Sequence, residues 1–171
     1  MGCSTKVIYT RFGNKDGLLA ALWPEGFARF GRALGAVSPG PDPMVHLAAL
    51  GRAYRDYAMA EPDYYQVMFR GVMFQGVIPG FVPDAEARRA ARATLQIRTD
   101  AVAAAMDAGR LGKADPREID EAIWPAAHGA VGLEPAGLLE PQEAIGRFRL
   151  VTSALVGALD TALGIALDAA S

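Results

Sequence analysis

The stretch GCSTKVIYTRFGNKDGLL, residues 2–19, carries the most specific pattern of the chain. Ser4 is a residue type that caps helix N-termini, so it predicts a short helix that runs to about Arg11. Gly13 and Asn14 are typical turn residues, and Asn14 is placed to cap a second helix that begins at the next position. The pattern therefore predicts two helices that meet at a tight corner.

The composition extends this helical prediction to the whole chain. The 171 residues are 51% hydrophobic and 21% charged, with a net charge of −2, as expected for one ordinary domain or two small ones. Alanine is the commonest residue, and the strand-favouring residues valine, isoleucine and threonine are sparse, so we predict an all-α fold. With a single cysteine, Cys3, and charged residues throughout the first twenty positions, we expect a cytoplasmic protein without disulfides.

Proline and aspartate divide the rest of the chain into further predicted helices. Helix starts are predicted at Asp42, Asp84, Asp115 and Pro141, because aspartate caps the first turn and proline fits there. Pro24, in contrast, predicts a kink or a break within the second helix. The last helix is long and apolar, but polar residues interrupt it, so we interpret it as a bundle helix and predict no membrane partner.

Residues 2–19 resemble the recognition half of the helix-turn-helix in the tetracycline-repressor (TetR/AcrR) family of bacterial transcription regulators. The residues that match its pattern without a gap are Gly2, Ser4, Ile8, Tyr9, Phe12, Lys15, Leu18 and Leu19. In that family, two further helices precede this segment. We therefore expect a partial helix-turn-helix, with either a native start upstream or a real lack of the helix that normally supports the recognition helix. In the form given, the chain is expected to bind DNA weakly, if at all.

The resemblance implies contacts with double-stranded operator DNA. The first turn of a recognition helix enters the major groove, which would place Thr5, Lys6 and Val7 at base edges. Neighbouring polar residues would hold phosphates, and residues 1–32 carry a net charge of +3. The predicted DNA-binding set is Ser4, Thr5, Lys6, Val7, Tyr9, Thr10, Arg11 and Lys15. The alternative is an ordinary amphipathic corner whose basic residues are solvated.

A second resemblance lies in the sequence IWPAAHG, residues 123–129. It is similar to the Trp, His, Gly signature of a C-terminal ligand-sensing domain found on a subset of these regulators. Such a domain implies a pocket for a small, largely apolar effector inside a helical bundle. The candidates to line it are Tyr57, Tyr65, Phe69, Met73, Phe74, Trp124 and His128. The alternative is that these side chains only fill the core.

Together, the two resemblances predict two domains: a partial DNA-binding domain in residues 1–36 and a helical ligand-binding and dimerisation domain in residues 42–171. They imply a homodimer formed through the last two helices and a repressor released by its effector. We predict no catalytic residue, cofactor or metal site, because the two histidines lie far apart and no metal-binding or nucleotide-binding motif is present. Two alternatives stay open: a truncated ligand-binding dimer without DNA affinity, and a small helical enzyme that uses Trp124 and His128.

Overall fold

A computed structural model describes residues 10–73, 82–134 and 141–169, apart from the side chains of residues 70–73, 141 and 164–169. Throughout these ranges the regular structure is helical, with no strand, so the predicted all-α fold is confirmed. Residues 10–12 are also helical and lead into a turn at Gly13. Six long helices follow: α1 (Lys15–Gly35), α2 (Pro43–Ala60), α3 (Pro62–Met73), α4 (Ala85–Asp107), α5 (Pro116–Leu133) and α6 (Pro141–Ala169).

Side-chain caps fix the starts of several helices, as the sequence predicts. Asn14 Oδ1 accepts a hydrogen bond from the backbone N–H of Gly17 at 2.8 Å, and Gly13 adopts a φ of 73° in the preceding turn. Asp42 and Asp84 likewise accept from backbone N–H groups of the first turns of α2 and α4. These bonds satisfy donors that have no partner within the helix itself.

Pro24 does not break its helix, so of the two outcomes expected from the sequence, a kink or a break, the break is excluded. Helix α1 continues from Lys15 to Gly35 through Pro24, and α5 likewise contains Pro125. Proline deprives the carbonyl four residues earlier of its helical partner, and those residues, Ala20 and Glu121, are exposed. Water can hydrate the freed carbonyls, so both helices tolerate the proline.

The chain forms two compact units, and the long helices α2 and α4 each contribute residues to both. Unit 1 comprises the described residues within 1–36 and 56–96. Helix α1 packs on α3 there, around an aromatic core in which Phe27 contacts Trp23 and Phe69, at ring-centroid distances of 4.5 and 5.8 Å. The Trp23 indole N–H donates to the carbonyl of Met68 at 3.2 Å, which fastens the two helices further.

Unit 2 comprises the described residues within 37–55 and 97–171. Helices α5 and α6 pack on each other, and a buried cluster at the end of α4 and the start of α5 forms part of its core. That cluster contains Val102, Ala105, Met106, Leu111 and Ile119. None of the described helices is long and apolar enough to cross a membrane.

A hydrogen bond from Tyr57 supports the core of unit 1. Its buried hydroxyl donates to the carbonyl of Gly26 at 2.9 Å, and burial raises the pKa of Tyr57 to about 12, so it keeps its proton. We predict that Tyr57→Phe lowers the free energy of unfolding by about 1 kcal/mol, because this bond is lost. Urea denaturation measures it, with Tyr64→Phe as the control. An equal loss in both variants would contradict the assigned role.

Candidate ligand-binding site

A cavity of about 420 Å³ lies within unit 2. Helices α2, α4, α5 and α6 all contribute residues to its wall. Most of the wall is apolar, and its larger apolar side chains include Met44, Leu47, Leu50, Ile123, Phe148 and Val156. This volume falls within the range of roughly 300 to 1,000 Å³ that is typical of small-molecule sites.

Tyr54 is the centre of a buried hydrogen-bond cluster beside the cavity. The Trp124 indole N–H donates to the Tyr54 hydroxyl oxygen at 3.1 Å. The same hydroxyl lies 3.0 Å from Nδ1 of His128, to which it can donate its own proton when Nδ1 is unprotonated. Tyr54 and Trp124 line the cavity, and the cluster joins α2 to α5.

His128 lies in an environment that favours its neutral form. Its side chain is buried, and this burial lowers the pKa of the imidazole below its ordinary value. The neutral ring can accept a hydrogen bond from the Tyr54 hydroxyl at Nδ1, whereas a protonated ring can only donate a hydrogen bond there. Protonation would therefore require the hydrogen bonds of the cluster to rearrange.

A buried ion pair forms the second polar feature of the cavity wall. Arg98 on α4 donates to Asp120 on α5 in a two-pronged arrangement, from Nε to Oδ1 at 3.1 Å and from Nη2 to Oδ2 at 2.9 Å. The Thr99 hydroxyl donates to the same carboxylate at 3.3 Å. Both charged residues line the cavity, and the Arg98 guanidinium lies 5.7 Å from the centre of the Tyr54 ring.

Two exposed arginines add positive charge to the wall. Arg52 on α2 and Arg149 on α6 line the cavity and have exposed side chains, so the cavity is accessible from solvent. Arg110, also in the wall, forms an exposed ion pair with Asp42 at 3.3 Å. Within the part of the chain that the structure describes, no group of three or more histidine, cysteine or acidic residues could hold a metal ion.

Comparison with known proteins identifies the domain that contains this cavity. The sequence profile of the tetracyclin repressor-like C-terminal domain matches residues 47–154, nearly two thirds of the chain. The chain belongs to the tetracycline-repressor-like family. The match includes Tyr54, Arg98, Asp120 and Trp124, so most of the cavity wall, with its buried polar residues, lies within the family domain.

Two solved structures share the fold of this family member. A protein of unknown function from Rhodococcus sp. RHA1 is 22% identical, with a TM-score of 0.74 over 93% of this chain and 80% of that chain. The protein SCO4313, which has been assigned a provisional regulatory role, is 24% identical, with a TM-score of 0.66 over 92% of this chain and 81% of that chain. Among curated proteins, no sequence matches the chain.

The predicted effector-binding residues do not all lie together. Trp124 lines the cavity, and His128 lies behind it on the Tyr54 hydroxyl. Tyr57, Tyr65 and Phe69 are buried in unit 1 and are not part of the wall of this cavity. The Met73 side chain and Phe74 lie outside the described residues.

Only part of the predicted DNA-binding set can be located. Thr10 and Arg11 lie in the helical residues before Gly13, and Lys15 is the first residue of α1. All three of these side chains are exposed. Ser4, Thr5, Lys6, Val7 and Tyr9 lie outside the described residues.

The sequence analysis missed Tyr54, Arg98 and Asp120. A signal for the two charged residues was available, because each interrupts the buried face of its helix. Arg98 stands seven positions from both Ala91 and Ala105, and all three are buried. Residues at this spacing share a helix face, so a charge there needs a buried partner. The sequence does not identify the partner of Arg98, because that partner depends on the packing of α4 against α5.

The low pKa of His128 predicts a pH-dependent stability. The unfolded chain binds a proton at His128 near pH 6.5, whereas the folded chain binds it only at lower pH, so stability falls as the pH decreases through this window. The contribution is at most about 1.4 kcal/mol per pH unit. We predict that His128→Gln reduces this pH dependence, as measured by urea denaturation between pH 7.5 and about 5.

The chain's other histidine provides the matched control for this experiment. The reduction in pH dependence should be larger in His128→Gln than in His46→Gln. An unchanged slope in His128→Gln, or an equal reduction in both variants, would contradict the assignment to His128.

Proposed function

We propose that the chain is a dimeric, DNA-binding transcription regulator whose operator affinity falls when a small effector binds in the unit 2 cavity. The observation that carries this proposal is the cavity itself. It lies within the domain that matches the tetracycline-repressor-like family, and its apolar wall contains a small connected polar cluster. Effector sites typically combine such walls with a few polar groups that orient the ligand. The proposed regulator acts as a repressor in the cytoplasm.

The DNA-contacting part of the proposal rests on the N-terminal segment. Its predicted set contains Thr10, Arg11 and Lys15, whose side chains are exposed at the surface, where they could contact a phosphate backbone. We assign DNA binding to residues 1–36 and effector binding and dimerisation to residues 42–171.

Helices α5 and α6 support the proposed dimer. They pack on each other, and each carries an exposed row of mostly small residues: Ala122, Pro125, Gly129 and Gly132 on α5, and Val151, Ala154, Ala158 and Ala162 on α6. A Cβ atom added at Gly129 or Gly132 would meet no other atom within 4 Å, so packing within the chain does not require glycine there. Small residues let the backbones of two helices approach closely, as in a four-helix interface between two copies.

The proposed mechanism is a shift between two arrangements of the dimer. Recognition helices of a dimer must match half-sites about 34 Å apart, one turn of DNA. An effector that prefers an arrangement with a different spacing lowers the population that fits the operator. Its effect on DNA affinity is limited by its difference in affinity for the two arrangements.

The alternative of a ligand-binding dimer without DNA affinity uses the same cavity and the same helices. DNA binding separates it from the regulator. For the enzyme alternative, the proposed catalytic His128 is engaged with Tyr54 and is not part of the cavity wall, so the geometry favours a binding role.

DNA binding by the regulator should depend on salt and on Lys15. We predict that the chain binds a duplex from directly upstream of its own coding sequence more tightly than a scrambled duplex, as measured by fluorescence anisotropy. The affinity should fall steeply with salt, because counterions are released from the phosphates. Lys15→Ala should reduce the salt slope by about one unit.

Lys113→Ala is the matched control, since Lys113 is an exposed lysine outside the proposed DNA-binding residues. It should leave the salt slope unchanged. If the two duplexes bind alike, or neither binds, the DNA-binding part of the proposal fails and the ligand-binding dimer becomes the better account.

The proposed dimer should be sensitive to a charge in the exposed row of α6. We predict that Ala158→Glu converts the dimer to a monomer, because two like charges would face each other across the interface. Size-exclusion chromatography with light scattering distinguishes the 18.0 kDa chain from twice that mass. The control is Ala104→Glu, at an exposed position on α4. A monomeric unmodified chain, or a dimer in Ala158→Glu, would contradict this interface.

A further inference from the structure

Arg98 has a hydrogen-bonding group that no described residue of the chain uses. Its Nε and Nη2 donate to Asp120, whereas its buried Nη1 has no hydrogen-bond partner among the described residues. The residue as a whole is only 9% exposed, and it lines the cavity. Buried donors without a partner are rare in native proteins, because they lose their hydrogen bonds to water without a replacement.

The charge of Arg98 is already balanced, so its remaining capacity is that of a hydrogen-bond donor. Asp120 receives two N–H groups of the guanidinium in a two-pronged pair, the strongest arrangement that an arginine and a carboxylate can form. A second carboxylate on the same guanidinium would lie near Asp120 and lose its own hydration. An uncharged oxygen acceptor would complete the hydrogen bonding of Nη1 without adding this repulsion.

The remaining residues of the cavity wall indicate the chemistry of the rest of the ligand. Leu47, Ile123 and Phe148 are among the apolar residues that surround the cavity, and these favour a hydrocarbon body. The two exposed arginines, Arg52 and Arg149, can stay hydrated, so they do not require an anion in the interior. An apolar molecule with one acceptor oxygen fits both parts of the wall.

We infer that the effector is a predominantly apolar, uncharged molecule with a carbonyl group, whose oxygen accepts a hydrogen bond from Nη1 of Arg98. This inference rests on the proposed effector site and adds the chemical class of its ligand. The hydrocarbon body gives affinity through burial, and the carbonyl gives selectivity, because only a ligand with an acceptor completes the hydrogen bonding of Arg98.

The test compares three fluorescent naphthalenes that carry the same dimethylamino group. The first also carries a propionyl ketone, the second a propyl group in its place, and the third a carboxylate. Dissociation constants are measured by fluorescence titration of the full chain. The ketone should bind at least about tenfold more tightly than the propyl compound, as expected for a hydrogen bond to a charged donor. It should also bind more tightly than the carboxylate.

Removal of the whole ion pair isolates the role of Arg98. Arg98→Met/Asp120→Leu avoids leaving a lone buried charge, and such replacements often preserve stability. In this variant, the preference for the ketone over the propyl compound should disappear. The matched control is Arg55→Met/Glu134→Leu, which removes a second buried ion pair of unit 2 that does not line the cavity. This control should keep the preference.

Arg98→Lys is the second test variant, and it tests the role of Arg98 if the double variant does not fold. Lysine keeps the positive charge opposite Asp120 but lacks Nη1, so the ketone preference should again be lost. The inference is overturned if the unmodified chain binds the ketone and propyl compounds equally, if the carboxylate binds most tightly, or if the ketone preference survives both Arg98 variants.

A failure of the proposed function would give a different binding result from a failure of the inference alone. If none of the three compounds binds the unmodified chain, the cavity is not an effector site of this kind, and the inference fails together with the ligand-binding part of the proposal. Binding of the propyl compound without a preference for the ketone overturns the inference alone.

Discussion

The buried ion pair between Arg98 and Asp120 holds two helices of unit 2 together beside the cavity. It joins α4 to α5 through two parallel hydrogen bonds, and the Arg98 guanidinium lies against the ring of Tyr54. The Tyr54 hydroxyl in turn contacts Trp124 and His128 on α5. Loss of one partner would leave an uncompensated charge in a region with little access to water. The pair therefore fixes the spacing of the helices that form the polar side of the cavity, and it leaves Nη1 of Arg98 without a hydrogen-bond partner among the described residues.

Local signals in the sequence were sufficient to predict most helix starts. Asn14, Asp42, Asp84 and Asp115 each cap a backbone N–H group two or three residues further along the chain, and such bonds depend on neighbouring residues alone. The same local signals left open whether Pro24 kinks or breaks its helix, and the helix is continuous through it. Whether a proline interrupts a helix depends on packing around the rest of that helix and on whether the freed carbonyl reaches water, and neither can be inferred from its neighbours in sequence.

The candidate site was less predictable because its contacts are distant in sequence. Trp124 and His128 are four residues apart on one helix, and their ring centres lie 5.6 Å apart, as this helical spacing favours. Their shared partner, Tyr54, lies 70 residues before Trp124. The resemblance placed Tyr65 and Phe69 among the pocket candidates, but Phe69 packs on Phe27, and Tyr65 packs on Phe69, in the core of unit 1. An aromatic side chain can either line a pocket or fill a core, so only the packing of the folded chain distinguishes the two roles.

We propose that the unit 2 cavity binds a small apolar ligand. The chain has two tryptophans, Trp124 in the cavity wall and Trp23 in the core of unit 1, and each gives a separate indole N–H signal in a two-dimensional nitrogen-15 NMR spectrum. Titration with the naphthyl ketone tests the claim most directly, with Trp124→Phe to assign the signals. We predict a saturable shift of the Trp124 signal that is larger than any shift of the Trp23 signal. A shift of the Trp23 signal alone, or of neither signal, would contradict the claim.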